Sequence, residues 1–156
     1  MCFIYSCFFL TPDEYLSIDR LTVGNKVLDA DGTALDILGL YKIPEFKIIK
    51  MVRIMPDSIE KGVPNKKTYL KPTQYINFKD KVITAKDLVE KLGMAEYERL
   101  NILYFYLLNV APKAGHQSCA SDDSKEINEF VICNGLEVSV YNARHPLNNR
   151  FKKFAQ

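Results

Sequence analysis

The chain has 156 residues, 47% of them apolar and 26% charged, with a formal net charge of +2. That length is one domain, able to bury about two-thirds of its unfolded surface, and the composition is that of an ordinary globular protein. So small a charge gives no ground for a nucleic-acid partner, and the basic residues in Lys61 to Lys71 and Arg144 to Lys153 read as solvated faces.

Cys2 to Leu10 is an apolar run with no basic segment before it and no small-x-small cleavage site, which makes it a core strand and not a signal sequence. Thr11-Pro12-Asp13-Glu14 is a turn, and a half-alternating run follows to Leu21. Gly24-Asn25 turns the chain into Lys26 to Ala30, which ends at Asp31-Gly32. Gly-Asn and Asp-Gly pairs between apolar runs mark hairpins, because these residues accept positive φ at little steric cost.

Ala34 to Ile43 predicts a strand that Pro44 ends, and Lys47 to Met55 a second strand stopped by Pro56. Ser58 to Pro64 reads as a helical turn and then a loop. Thr68 to Phe78 follows, then a Val-rich strand from Val82 that enters a short helical turn before Gly93, with Met94 to Asn101 extending that turn. Leu100 to Val110 is a strand. Its apolar run to Ala111 is too short to span a bilayer as a helix, so no membrane span is expected.

Residues 111–129 hold Pro112, Gly115, several serines and Asp122-Asp123 without periodicity, which predicts a long polar loop inserted in a single domain of 1–156. Phe130 to Tyr141 is a hairpin about Asn134-Gly135. Strand-dense punctuation throughout argues for an all-β protein with one or two short helical turns. The cysteines Cys2, Cys7, Cys119 and Cys133 form no Cys-x-x-Cys pair and have no histidine at ligand spacing, so neither a metal nor a cofactor is expected. Cys7 and Cys133 read as buried thiols.

Several of these stretches resemble, in order, the Hint superfamily of Hedgehog/intein autoprocessing domains, and most closely its bacterial branch. The matching residues are Cys2-Phe3, Thr11-Pro12-Asp13, Leu21, Gly24, Val27, Asp31-Gly32, Ile59, Gly62-Val63-Pro64, Leu70, Pro72, Ile76, Gly135-Leu136, Asn149-Arg150 and Phe154. Asn25 stands where the family has aspartate. The resemblance implies a Hint-like horseshoe of short strands and hairpins, with Cys2 on a central strand near Gln74 and the closing hairpin.

It also implies a chemistry. In such domains the first cysteine attacks the preceding peptide carbonyl, turning amide into thioester. The leaving nitrogen then needs a proton from the histidine of a Ser/Thr-Pro-x-His motif. By that resemblance Cys2 stands at the nucleophile position, Gln74 at the histidine, Lys71 at the Ser/Thr, and Tyr106 at a later histidine. A carboxamide does not titrate near neutral pH. Asn148-Asn149 precedes Arg150 and not Cys, Ser or Thr, so splicing through asparagine cyclisation lacks its parts. Only Met1 precedes Cys2, so release of an upstream protein is not expected either.

These residues imply a protein descended from a self-cleaving Cys-nucleophile domain, inactive in cleavage and serving as a binding or structural module with an unidentified protein partner. The alternative is active autoprocessing by an acyl shift at Cys2, with His116 or His145 as relocated proton donor. A third reading has methionine removal exposing Cys2 as an N-terminal nucleophile. With no recognisable secretion signal, the default location is cytoplasmic.

Overall fold

The computed structural model describes residues 2–113, 128–142 and 149–156. Strands make up 55% of the structure and helices 8%, curled into a half-barrel as the all-β reading expects. No helix among the described residues is long and apolar enough to cross a membrane.

The apolar run at the N-terminus is not one strand. It divides into β1 (Cys2–Phe3) and β2 (Phe8–Leu10) about a turn in which the Cys7 amide donates to the Ile4 carbonyl at 3.0 Å. A straight strand sends neighbouring side chains to opposite faces. Phe3 and Ile4 are adjacent and both buried, so the chain bends, and Tyr5 at the bend is 71% exposed.

Turn chemistry then builds the rest of this region as the sequence predicts. The Thr11 hydroxyl donates to the Glu14 carbonyl and accepts from the Asp13 and Glu14 amides, turning β2 into β3 (Tyr15–Ser17). A single 3-10 turn at Ile18–Arg20 follows. Gly24 at φ +96°, with the Asn25 carboxamide oxygen accepting from the Thr22 amide and hydroxyl, leads into β4 (Lys26–Leu28).

The backbone of the fold is one long hairpin, β5 (Ala34–Ile54) against β9 (Glu96–Val110). Pro44 does not end the strand. The register shifts between Pro44 and Lys47, with Phe46 at φ +51°, and this bulge lets the chain pass a residue that has no amide to donate. The two predicted strands are therefore one. Met94 to Asn101 is likewise not helical from Glu96 onward: its pairing with Lys47–Arg53 across the sheet overrides local propensity. Ser58 to Pro64 forms no helix but a turn closed by a bridge between Glu60 and Val63.

Beyond the hairpin come β6 (Thr68–Leu70), β7 (Tyr75–Phe78), β8 (Lys81–Thr84) and the helix α1 (Ala85–Glu90), whose start is capped by the Asp87 carboxylate accepting the Thr84 amide at 3.1 Å. Then follow β10 (Asn128–Cys133), β11 (Leu136–Asn142) and a four-residue turn of helix, α2 (Asn149–Lys152). The strands run β3-β2-β10-β11-β9-β5-β4, with β1 added to β9, β6 to β5, and the β7–β8 hairpin to β11. The main core lies inside the curl, among Phe3, Phe9, Ile37, Ile54, Leu108, Val131 and Val138. A smaller cluster of Ile4, Met51, Tyr69, Ile102 and Phe105 sits beside β1.

The predicted loop is shorter than the sequence suggests, since Asn128 and Glu129 belong to β10. Its near end is anchored: the Ala111 amide donates to the Asp36 carbonyl, the Lys113 amide to the Glu129 carboxylate at 3.0 Å, and the Lys113 ammonium pairs with Asp29 at 2.9 Å and Asp31 at 2.7 Å. Residues 114–127, and with them Cys119 and His116, lie outside the described residues, as does His145. Burial alone would raise the Asp29 carboxyl. The Lys113 hydrogen bond, the Thr33 and Asp31 amides and the Lys113 charge outweigh burial and hold it below its ordinary value. A depressed carboxylate contributes stability above its unfolded pKa and loses it as pH falls through the folded one. Urea midpoints should therefore separate the native chain from Asp29→Asn at pH 7 and converge below about pH 4; a gap that widens in acid would refute this anchor.

Asn134 joins the fold's two ends. It occupies the left-handed region at φ +51°, followed by Gly135 at +87°, and is fully buried. Its side-chain oxygen accepts the Phe8 amide at 3.1 Å, while its nitrogen donates to the Ser6 carbonyl at 2.9 Å and the Thr68 hydroxyl at 2.7 Å. Its own amide donates to the Phe8 carbonyl, and its carbonyl accepts the Asn65 amide. Asn134→Ala strands several buried partners at about 1–3 kcal/mol each, so equilibrium unfolding should show a loss of at least about 2 kcal/mol. An unchanged midpoint would mean these bonds are not needed.

Candidate functional site

Cys2 opens β1 and stands opposite Leu107 of β9, half-buried against the smaller apolar cluster. One edge of β9 is taken by β5, so β1 and β11 share the other: Phe3 faces Tyr106 and Cys2 faces Leu107, while Tyr141 faces Asn109 and Asn142 faces Val110. Cys2 and Tyr141 are thus two positions apart along β9, roughly 7 Å of strand, and Asn142 is one position further.

Gln74 sits in the turn between β6 and β7, and its surroundings fix it from both sides. Its amide donates to the Lys71 carbonyl at 3.0 Å, and its carbonyl accepts the Ala85 amide at 2.9 Å at the start of α1. The side chain is fully buried. Its nitrogen donates to the Tyr75 carbonyl at 3.0 Å, the Ser139 carbonyl at 2.9 Å and the Ser139 hydroxyl at 3.2 Å. Two of these partners are carbonyls that can only accept, so the carboxamide has one possible orientation. Its oxygen has no hydrogen-bond partner among the described residues.

Lys71 lies with its ammonium 4.8 Å from the centre of the Phe105 ring, and Phe105 belongs to the cluster that Cys2 packs on. Tyr106, opposite Phe3, is half-buried and packed on the main core. Burial, then the charges of Asp19 and Tyr104, raise its phenol above the ordinary value. It is protonated and neutral across the physiological range. Cys2 and Lys71 therefore share the side of β9 that carries Phe105, Tyr106 lies on the opposite side against the main core, and Gln74 is tied to β11, the strand that meets the same edge of β9 as β1.

Sequence reasoning missed Ser139 and Asn142. Ser139 is buried and binds Gln74. Asn142 is fully buried at the end of β11, next to the Cys2 strand. The signal for it is plain in hindsight: Tyr141-Asn142 closes the last apolar strand, whereas Asn148-Asn149 lies past it. The C-terminal residues lie on a different edge. The Gln156 amide donates to the Leu40 carbonyl and the Lys42 amide to that of Phe154, along the edge of β5 away from β9.

No protein-family model and no curated protein sequence matches the chain. Solved structures do. The MchDnaB-1 intein (N145AA) superposes with a TM-score of 0.57 at 10% identity, over 90% of this chain and 99% of that one. The gp41-1 intein gives 0.55 at 13%, over 88% and 96%. The DnaX mini intein from Spirulina platensis gives 0.55 at 13%, over 88% and 98%. The chain has the intein-type Hint fold. At these identities the likeness is one of fold.

The geometry assigns Gln74 a tie between the β6–β7 turn and β11. Gln74→Leu leaves the Ser139 carbonyl and hydroxyl without this donor, at about 1–3 kcal/mol, and chemical denaturation should register that loss. A variant as stable as the native chain would remove the tie.

Proposed function

We propose that this Hint-fold domain no longer cleaves peptide bonds and acts as a binding or structural module for a protein partner. The observation that supports this best is the state of Gln74. At the position where the resemblance puts the proton donor stands a buried carboxamide whose nitrogen spends its hydrogens on Tyr75 and Ser139. Attack by the Cys2 thiolate on an amide carbonyl expels an amine, which leaves only as it is protonated. A carboxamide supplies no such proton. Tyr106 holds its proton well past neutral pH, and Lys71, at the hydroxyl position, brings no oxygen to the site.

Resolution of a thioester by asparagine cyclisation is also unsupported. Asn142 stands where strand β11 meets the Cys2 strand, but Ala143 follows it, without a thiol or hydroxyl. What remains is a scaffold with a half-buried cysteine and, further along β9, a groove of about 310 Å³ lined by Ile4, Tyr5, Asn101, Ile102, Leu103, Tyr104 and Tyr106.

The test is a fusion of a folded reporter directly ahead of Cys2, with Met1 removed and dithiothreitol present to intercept any thioester. The unaltered domain should show no cleavage over hours, because loss of a general acid slows such a step by roughly 10²–10⁴-fold. Gln74→His with Lys71→Thr restores both chemical groups and should restore thiol-dependent cleavage that Cys2→Ala abolishes. Rapid cleavage by the unaltered fusion would overturn the proposal in favour of active autoprocessing. Alanine at His116 and at His145 would then tell which imidazole donates the proton.

A further inference from the structure

Two cysteines away from this site are placed together by the fold. Cys133 ends β10 and stands directly opposite Phe9 of β2, and Cys7 lies two residues before Phe9. Cys7 lies at the end of the turn that leads into β2, its carbonyl accepting the Ile18 amide at 3.0 Å, and both thiols are fully buried in the main core. Neither is in a disulfide. Diagonal neighbours on antiparallel strands sit just beyond the span that a disulfide bridges without movement, so closing the bond takes a small shift of the backbone. The two side chains are close enough for Cys7 to act on the Cys133 thiol.

We infer that Cys7 and Cys133 form a site of reversible disulfide formation, oxidised by a small-molecule disulfide of the glutathione type. One thiol, deprotonated to solvent, attacks the small disulfide; a sulfur–sulfur bond forms to the protein and one glutathione thiolate leaves. The second protein thiolate then attacks the mixed disulfide at the protein sulfur and expels the other glutathione thiolate. Two electrons pass to glutathione, and the two protons released by the cysteines are taken up by the two thiolates.

The surroundings say how the reagent reaches them. Burial first, then the neighbouring Cys7, pushes the Cys133 thiol well up, and the closed core shields both sulfurs from solvent. β2 joins β10 through a single ladder pair, Cys133 with Phe9, supplemented by Asn134. Separation of that short joint exposes both sulfurs without unfolding the β5–β9 hairpin, the kind of local opening that precedes global unfolding. The Cys7 thiol otherwise contacts only the Tyr69 carbonyl, at 3.7 Å, a weak interaction that leaves it free to turn towards Cys133. The bond would close a loop of some 126 residues between them, stapling the segment that carries Cys2 to the closing hairpin.

The experiment uses the full chain with Cys2→Ser and Cys119→Ser, so that only this pair can react. It is incubated with reduced or oxidised glutathione in low urea, alkylated, digested without reduction and mapped by mass spectrometry. Oxidation should link the peptides holding Cys7 and Cys133, lower the intact mass by two hydrogens, and raise the melting temperature by roughly 5–10 °C, all reversed by dithiothreitol. With Cys133→Ser added, the reaction should stop at a glutathione adduct on Cys7. If both cysteines remain fully alkylable, or both end as glutathione adducts, the inference is overturned. Should the double variant not fold, the same map of the native chain decides between the two outcomes.

Discussion

A single buried carboxamide sets the shape of this protein. The short strands at the N-terminus have little ladder to hold them in the curl: β1 has two residues, β2 has three, and β2 meets β10 at one pair. Asn134 supplies what that ladder lacks. It binds backbone on both sides of Cys7 and the Thr68 hydroxyl at the entrance to β6. Three pieces of chain that are remote in sequence meet on one side chain, in a region of low dielectric where each bond is worth most and each loss costs most. The requirement for positive φ explains why asparagine, and not another amide, stands there.

How far the sequence could be read depends on how local each constraint is. Turns closed by a residue's own side chain, at Thr11, Asn25 and Asp29, were legible because their chemistry lies within four residues. Pro44 misled because a proline is tolerated at a bulge, and whether a bulge exists depends on the partner strand. Glu96 to Leu100 misled for the same reason: its alternation was too weak to declare a strand before β5 was known to lie against it. The turn at Tyr5 was hidden inside a uniformly apolar run, where periodicity has nothing to measure.

The site was half legible. The resemblance singles out Gln74 from a motif with apolar anchors on either side, but not what its side chain touches. Only the structure brings Ser139, 65 residues away, against its nitrogen. The amide nitrogen has a structural task, while its oxygen has no hydrogen-bond partner among the described residues. Asn142 was passed over because nothing local marks it: its place beside β9, on the edge that β1 also uses, comes from a strand pairing 32 residues away in sequence.

The pairing of the chain's beginning with its end also governs the order in which the molecule can assemble. Cys2 and Phe3 find their partners at residues 106–107, Phe9 at Cys133, and the Phe8 amide at Asn134. During synthesis β2 can pair at once with β3, but β1 has no strand partner until β9 has followed, and the other edge of β2 none until Cys133. The β5–β9 hairpin, though long, closes a shorter stretch and can form before them. Large loop closures of this kind are intrinsically slow. The two strands of the N-terminal segment thus complete their pairing only with strands made much later, β1 with β9 and β2 with β10.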